Sequence, residues 1–157
     1  MIKKYKGIWF YGLSGSGKTF ITNYLKKKIP NSLVIDGDDV RKFISFDLGY
    51  KLEDRKIQIE RIYGICKIII NSNKIPLASS VYFNKKLNKL CKNLKILPVK
   101  VERKNFEKIK KIHHTYKNKK NVVGKDIFYE KFRTNTIYND NTANFIKKSN
   151  LLLKFFK

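Results

Sequence analysis

The chain has 157 residues and a net charge of +24 at pH 7, and it is 42% hydrophobic and 13% aromatic. This length and composition suit one folded domain with its own core, and they exclude a disordered or collagen-like chain. No apolar run reaches the roughly 18 residues that a membrane span needs. The first residues do not resemble a signal peptide, and Cys66 and Cys91 are too few for a disulfide framework. We therefore expect a single cytoplasmic domain over residues 1–157.

Lysine supplies most of the positive charge, since only five of the 36 basic residues are arginine. A strongly basic chain attracts polyanions such as nucleic acid or an anionic membrane. Proteins that read nucleic acid contact bases and phosphates heavily with arginine, however. Lys, Ile and Asn are all frequent here, as AT-rich coding would produce. We expect coding bias to be the main cause of the charge, with a polyanionic partner as the alternative.

Short apolar runs alternate with helical periodicities along the chain. The apolar runs predict strands at 7–11, 32–35, 75–79 and 94–101. The helical patterns lie at 19–28, 53–73, 83–93, 105–114 and 142–156, and the polar, lysine-rich segment 115–128 is predicted as a mobile loop. This alternation indicates an α/β fold with a mostly parallel sheet flanked by helices, which binds ligands beyond the carboxyl ends of its strands.

The segment after the first strand, GLSGSGKT at 12–19, fits the phosphate-loop pattern G-x-x-x-x-G-K-[ST]. Its glycines allow the backbone N–H groups to point at phosphate oxygens, and the following helix presents its positive N-terminal end. The lysine can reach the β- and γ-phosphates of ATP, and the threonine hydroxyl can bind Mg²⁺. The predicted phosphate-binding residues are Gly12, Ser14, Gly15, Ser16, Gly17, Lys18 and Thr19, with Thr19 also as the metal ligand.

The second strand ends in an acidic turn that contains Asp36, Asp38 and Asp39, followed by Arg41. Three adjacent carboxylates repel one another unless Mg²⁺, Lys18 or Arg41 neutralises them. A carboxylate at this place could accept the proton of an attacking hydroxyl. The alternative is a helix cap and turn with no chemical role. The third strand ends without a carboxylate, so no Walker B acid is identified.

The long helical pattern begins with polar residues at spacings of one, three and three. Residues at these spacings could share one face of a helix, and that face is either a binding surface or simply solvated. The residues are Asp54, Arg55, Gln58 and Arg61. The pair His113 and His114 also leaves two alternatives open, a contact with a phosphate or a solvated pair.

Together these motifs resemble the adenylylsulfate kinase (APS kinase) family. The matching segments are GLSGSGKT, then DGDDVR, then D-L-G-Y-x₃-D-R, and finally NVVGKDIFYE at 121–130, which is similar to the family's N-F-T-G-I-D-x-x-Y-E. They occur in order across roughly residues 7–140. The resemblance implies a P-loop kinase fold, Mg²⁺ with ATP as co-substrate, and phosphorylation of the ribose 3′-hydroxyl of adenosine 5′-phosphosulfate, usually by a homodimer.

The resemblance also implies roles for individual residues. Lys18, Asp36 and Asp38 are the implied catalytic residues, with Asp38 facing the acceptor hydroxyl as base or orienter. The implied acceptor-binding residues are Asp38, Arg41, Tyr50, Arg55, Gln58 and Val122, of which the two arginines bind the 5′-phosphate-linked group and Tyr50 stacks on the base.

This sequence departs from the family pattern mainly in the acceptor pocket and the lid. Val122 replaces a phenylalanine that forms half of the base sandwich, a loss of about 1–3 kcal/mol of stacking. Gln58 replaces an asparagine, the lid near 115–128 is shorter, and the family's Arg-Asp pair before the lid is not recognisable in 108–114. The phosphoryl-transfer residues match, whereas the acceptor pocket is altered.

The altered pocket predicts a different acceptor, such as the cytidine nucleotide cytidine diphosphoramidate in capsule polysaccharide modification. The alternative is a true adenylylsulfate kinase that makes the 3′-phosphorylated product in sulfate activation. A further alternative is a polynucleotide kinase or a nucleic-acid-binding ATPase, which the charge would suit. The chain offers no extra basic domain or aromatic-interleaved face for a polymer, however.

Overall fold

The computed structural model describes residues 5–156, and within them an all-parallel five-stranded sheet is flanked by helices. The strands are β1 Gly7–Tyr11, β2 Ser32–Asp36, β3 Ile75–Ser80, β4 Ile96–Glu102 and β5 Asn135–Tyr138. The α-helices are α1 Lys18–Lys26, α2 Gly37–Phe43, α3 Leu52–Asn71, α4 Lys85–Asn93, α5 Phe106–Ile112, α6 His114–Asn118 and α7 Thr142–Asn150, and a 3-10 helix follows at Leu151–Phe155.

The strands lie in the order β2-β3-β1-β4-β5, with β1 at the centre. The α/β fold and the mostly parallel sheet predicted from the sequence are therefore confirmed. The register places Asp36, at the end of β2, opposite Ser79 of β3. It places Tyr11, at the end of β1, opposite Ser80, which is also in β3. Because all strands run in one direction, the segments that follow β1, β2, β3 and β4 meet at one edge of the sheet.

The core is divided between the two faces of the sheet, and β1 contributes to both because successive side chains point to opposite faces. Trp9 and Tyr11 belong to a cluster that packs under α3 and α4, whereas Ile8 and Phe10 pack under α1 and α7. All four are buried, which explains the continuous apolar run GIWFY. Trp9 donates from Nε1 to Ser80 Oγ at 2.8 Å, so its polar atom is paired.

Two elements differ most from the sequence prediction. The acidic turn continues into α2, which has seven residues and only Val40 buried, so no helical periodicity is visible. The strand β5 has four residues, of which only Ile137 is buried, and it lies at the edge of the sheet. Both elements are too short and too exposed for hydrophobic spacing to reveal them.

Several predicted boundaries are also corrected. The helix predicted at 105–114 ends at Ile112, and α6 occupies the start of the segment 115–128 that we expected to be a loop. The helix predicted at 142–156 changes to 3-10 geometry after Asn150. The cysteines Cys66 and Cys91 are free and buried, which agrees with the absence of a disulfide framework expected from the sequence. Among residues 5–156, no helix combines the length and the apolar character that crossing a bilayer requires.

Candidate active site

The phosphate loop connects the central strand β1 to α1 and adopts a conformation that depends on its glycines. Gly15 and Gly17 have φ values of 84° and 106°, in the left-handed region that residues with a β-carbon rarely enter. A β-carbon on Gly17 would lie 2.6 Å from Asn139 Nδ2, and Asn139 Nδ2 donates to the carbonyl of Ser16 at 3.0 Å. The glycines thus allow the tight conformation of the loop, and the hydrogen bond from Asn139, just after β5, stabilises it.

Lys18 begins α1 and its ammonium group lies against the loop itself. Its Nζ donates to the carbonyl oxygens of Gly12 at 2.8 Å and Leu13 at 3.0 Å. Burial lowers the pKa of Lys18 to about 8, while the carboxylates of Asp38 and Asp36 act in the opposite direction. Within residues 5–156 the hydrogen bonds of this half-buried ammonium all go to neutral carbonyls, an arrangement that favours the arrival of an anion.

Thr19 and Asp36 form a direct link between the phosphate loop and the second strand. The Thr19 hydroxyl donates to Asp36 Oδ2 at 3.0 Å, and the Ser79 hydroxyl donates to the same oxygen at 3.2 Å. The strand register explains this arrangement, because Asp36 and Ser79 are paired across β2 and β3. A carboxylate therefore lies beside the end of β3 although β3 itself ends in serines.

The acidic turn contains the helix cap that was one of its two interpretations. Asp36 caps α2, since its Oδ1 accepts from the backbone N–H of Asp38 at 2.9 Å. Its other oxygen faces Thr19, so one carboxylate serves the helix cap and the site at once. Asp38 lies in the first turn of α2, exposed and directed toward the cavity that it lines.

Arg41 and Tyr50 form part of the wall that faces the phosphate loop across the cavity. Arg41 donates from NH1 to the carbonyl of Gly49 at 2.6 Å and lies over the Tyr50 ring, with its Cζ 4.5 Å from the centroid. Lys119 Nζ lies 6.0 Å from the same centroid. The ring that the resemblance assigns to the acceptor base is therefore in contact with cations, which an incoming base would have to replace.

Arg55 and Gln58 extend from α3 into the same wall. Arg55 is buried, and it donates to the carbonyl oxygens of Tyr50 at 3.1 Å and Asn121 at 2.8 Å. Burial lowers the pKa of Arg55, and the adjacent positive charge of Arg41 lowers it further. Gln58 donates to the Gly37 carbonyl at 2.9 Å, while its buried Oε1 has no hydrogen-bond partner in the part of the chain that the structure describes.

Val122 lies in a tight turn that closes the cavity. Its backbone N–H donates to Asp126 Oδ2 at 2.8 Å, and its carbonyl accepts from the backbone N–H groups of Lys125, Asp126 and Ile127. The side chain is buried at 4% exposure. The position predicted from the family segment is therefore held rigidly, with valine at the cavity wall.

These groups surround one cavity of about 770 Å³. Lys18, Asp38 and Arg55 come from three separate elements and all line it, which places a phosphate loop, a carboxylate and an anion-attracting wall within one space. The predicted site residues that line it are Ser14, Gly15, Gly17, Lys18, Thr19, Asp36, Asp38, Arg41, Tyr50, Arg55, Gln58 and Val122. Gly12 and Ser16 are buried within the loop that forms its floor.

The sequence did not reveal several residues that approach the phosphate loop. Arg103, just after β4, donates to the Gly15 carbonyl at 3.3 Å, so an arginine does reach the loop although none lies in 108–114. Tyr116 donates from its hydroxyl to the Ser14 carbonyl at 3.0 Å, and burial raises the pKa of Tyr116 to about 12. Arg103 and Tyr116 lie on either side of α5 in the sequence. Both come close to the phosphate loop because β4, which precedes them, lies next to β1, which precedes the loop.

The oxygen donors at Thr19 and Asp36 match the chemistry that Mg²⁺ prefers, a hydroxyl and a carboxylate completed by substrate phosphates and water. Within residues 5–156, no group of three or more His, Cys, Asp or Glu forms an all-protein metal cage. Thr19 and Asp36 are the residues that could hold Mg²⁺ in this cavity.

A phosphate loop between a central parallel strand and a helix, with a second wall of carboxylates and arginines, defines a P-loop kinase architecture. The family model for adenylylsulphate kinase matches residues 4–109, more than half of the chain. The chain belongs to the adenylylsulfate kinase family.

Individual relatives agree with this assignment. The adenylyl-sulfate kinase of Buchnera aphidicola is 40% identical over 78 residues, covering 47% of this chain and 38% of the relative. The adenylyl-sulfate kinase 3 of Arabidopsis thaliana is 33% identical over 91 residues, covering 55% and 44%. The chain therefore matches less than half the length of these curated relatives.

Solved structures support the fold. The Mycobacterium tuberculosis APS kinase CysC in complex with AMPPNP and APS superposes with a TM-score of 0.79 at 19% identity, and the superposition covers 96% of both chains. The family and fold predictions are thus confirmed. These relatives are named for adenylyl sulfate, and the cytidine diphosphoramidate branch finds no support among them.

Proposed function

We propose that this protein is an ATP-dependent kinase that transfers the γ-phosphoryl group to the ribose 3′-hydroxyl of adenosine 5′-phosphosulfate. The main supporting observation is the single cavity that joins Lys18 and the phosphate loop to Asp38 and to the wall formed by Arg41 and Arg55. A donor site and an acceptor site must share one space for direct transfer, because the attacking and leaving oxygens lie roughly in line.

At the donor end, the loop and Lys18 would hold the ATP phosphates. In the described part of the chain Lys18 Nζ donates to carbonyl oxygens alone, so phosphate oxygens offer it a stronger, charge-assisted partner. Thr19 and Asp36 would hold Mg²⁺, which supplies charge neutralisation on the phosphates when bound. The backbone N–H groups of the loop stabilise the charge that develops on the transferred group.

At the acceptor end, Asp38 would orient the 3′-hydroxyl and accept its proton as the oxygen attacks. Its neighbour Gln58 has a buried oxygen without a partner in the described residues, which suits a hydroxyl donor from the acceptor. Arg41 and Arg55 present two adjacent positive charges whose hydrogen bonds, among residues 5–156, go only to carbonyl oxygens, an arrangement that suits a phosphosulfate or diphosphate group.

The named relatives favour adenosine phosphosulfate over the cytidine acceptor that the altered pocket led us to expect. Val122 remains the residue that argues for a different base, because it offers no aromatic face. The activity of the protein with each acceptor distinguishes the two bases.

We also propose that the protein forms a homodimer. Light scattering at several protein concentrations tests this oligomeric state. One solved relative is described as a hexameric APS kinase from Thiobacillus denitrificans.

The test is a measurement of ADP release with Mg²⁺ and ATP against three acceptors: adenosine 5′-phosphosulfate, cytidine diphosphate and cytidine diphosphoramidate. Phosphorus NMR of the product identifies the phosphorylated hydroxyl. We expect adenosine phosphosulfate to give the highest kcat/KM and a 3′-phosphorylated product. Faster turnover of a cytidine nucleotide would contradict the proposed acceptor while leaving the reaction class intact.

A competition arm tests the nucleic-acid alternative. RNA and single-stranded DNA are added at moderate salt, where non-specific lysine contacts are weakened. We expect no competition with the small acceptor. Inhibition that persists at moderate salt, or phosphate transfer to the polymer, would contradict a small-molecule kinase.

A further inference from the structure

The side chain of His113 lies at the mouth of the phosphate loop, between α5 and α6. A β-carbon on Gly15 would lie 3.2 Å from His113 Cδ2 and 3.6 Å from His113 Nε2, so this edge of the ring faces the loop. The ring lines the same cavity as Lys18 and Thr19. Neither the phosphate-loop motif nor the acceptor motifs account for a histidine at this place.

The hydrogen bond on the other ring nitrogen fixes the tautomer. The backbone N–H of Thr115 donates to His113 Nδ1 at 3.4 Å, and this bond caps α6. A neutral imidazole has one N–H and one acceptor nitrogen. Because Nδ1 accepts, the proton of the neutral ring is on Nε2, the nitrogen that faces Gly15. The free protein therefore presents a neutral N–H donor to the phosphate loop.

Accordingly, we propose that His113 binds nucleotide directly, with Nε2–H donating to a phosphate oxygen of the nucleotide held by residues 12–19. This inference rests on the proposed function only in requiring that the loop binds a nucleotide. It assigns to the junction of α5 and α6 a donor that complements Lys18, which lines the same cavity.

The surroundings of His113 make this donor sensitive to bound phosphate. Burial lowers the pKa of His113, and the positive charges of His114, Lys119 and Lys18 lower it further. Arg103 adds a positive charge at the Gly15 carbonyl, and Tyr116 presents its ring edge with centroids 5.7 Å apart. Burial and these neighbouring charges thus favour the neutral form of the ring. Phosphate oxygens at Nε2 would raise this pKa, so nucleotide binding and proton uptake are coupled.

The neighbouring histidine provides a matched control. The His114 ring stacks on that of His113 with centroids 4.7 Å apart, but its Nε2 lies 3.5 Å from the Thr115 hydroxyl and it is exposed. A general effect of charge or stacking in this segment would involve both rings. A hydrogen bond to phosphate involves His113 alone.

Two substitutions of His113 separate phosphate binding from helix capping. His113→Asn retains an acceptor near the position of Nδ1, which can cap α6, but its side chain is too short to reach the loop. His113→Gln extends an amide N–H to the region of Nε2 but lacks the acceptor at the Nδ1 position. If His113 only caps α6, His113→Asn should keep the affinity for nucleotide and His113→Gln should lose it. If His113 binds phosphate, His113→Gln should keep the affinity and His113→Asn should lose it.

The experiment measures the affinity of the intact protein for AMP-PNP with Mg²⁺ by calorimetry at pH 7. A hydrogen bond to a charged group corresponds to a loss of about 10- to 100-fold in affinity, so His113→Asn should weaken binding by this factor. We expect His113→Gln and His114→Gln to remain close to wild type. Wild-type affinity in His113→Asn, or equal losses in Asn and Gln, would overturn the proposal.

A second readout uses the ring ¹⁵N chemical shifts of His113 with and without AMP-PNP. We expect the Nε2–H tautomer in the free protein and a higher pKa in the complex. An Nδ1–H tautomer, or a pKa that AMP-PNP leaves unchanged, would contradict the inference. If wild type binds no AMP-PNP at all, the proposed function fails as well, and this outcome is distinct from intact binding that ignores His113.

Discussion

The phosphate end and the acceptor end of the cavity are built in different ways. Residues 12–19 form one continuous loop whose shape follows from its own glycines, at φ values such as 106° for Gly17. The proposed acceptor wall is assembled from the consecutive helices α2 and α3 and from the turn at Val122, about 50 residues beyond the end of α3. A single local motif therefore forms the proposed phosphate end, whereas contacts between separate segments form the proposed acceptor end. The reaction class is correspondingly easier to predict than the acceptor.

The largest expected effect is at the phosphate end, in Lys18→Ala. Lys18 Nζ is the buried cation beside the loop, and removing such a group from phosphoryl transfer costs about 10³-fold or more in rate. ADP release with adenosine phosphosulfate measures it. Lys26→Ala, at the exposed end of the same helix, is the control and should have wild-type activity. Substantial turnover by Lys18→Ala would contradict the role of this end of the cavity.

Next in size is Asp38→Asn, at the junction of the two ends. If Asp38 accepts the proton of the attacking hydroxyl, kcat should fall by about 10²-fold or more while AMP-PNP affinity is unchanged. The matched control is Asp39→Asn, one residue further along α2, which removes the same charge from an exposed position. A near-wild-type kcat in Asp38→Asn would contradict a role for the Asp38 carboxylate in the reaction.

The contrast between the two ends also explains what the sequence predicts. The phosphate-loop residues and Arg55 were identified because each lies within a continuous motif. Arg103 was missed because its contact with Gly15 depends on β4 lying next to β1 in the sheet. The helix α2 was missed because Val40 is its only buried residue. Asp36 was predicted as a site residue, but its place beside the end of β3 was not, because it depends on the parallel register that pairs Asp36 with Ser79. Local patterns are visible in sequence, and register-dependent contacts are not.

Arg55→Lys tests whether the two ends act independently. Lysine retains a positive charge but not the fork that binds a carbonyl and an anion together. The KM for adenosine phosphosulfate should rise about tenfold, the loss of roughly one charge-assisted hydrogen bond. The KM for ATP should not change, and Arg61→Lys, which pairs with Asp47 outside the cavity, should leave both unchanged. An equal rise in the KM for ATP would argue that Arg55 supports the whole cavity.

The pKa of Lys18, lowered by burial to about 8, gives the phosphate end a pH dependence of its own. Below pH 8 the ammonium is charged and available to phosphate; above pH 8 the free protein loses this proton, and binding must restore it. The affinity for AMP-PNP should therefore fall by up to about tenfold per pH unit above pH 8. Calorimetry between pH 7 and 9.5 measures the slope.

Two results would contradict this pH dependence. One is a flat profile in the wild type, which would place the pKa of Lys18 well above 9. The other is an unchanged slope in Lys18→Ala, which would assign the titration to another group. The acceptor KM, governed by arginines that remain charged throughout this range, should show no matching slope.

The smallest effect expected is at the acceptor end, in Val122→Phe. The turn around Val122 is fixed by the bond from its N–H to Asp126 and by three N–H groups donating to its carbonyl, so the new ring would occupy a defined place on the cavity wall. Stacking on a base contributes about 1–3 kcal/mol, and at the lower end of this range the KM for adenosine phosphosulfate falls about fivefold. Val122→Leu adds volume without an aromatic face and should not lower the KM. If Val122→Phe instead raises the KM for adenosine phosphosulfate while Val122→Leu does not, the wild-type pocket is fitted to a base that lies where the ring would go, and the cytidine acceptor becomes the better hypothesis.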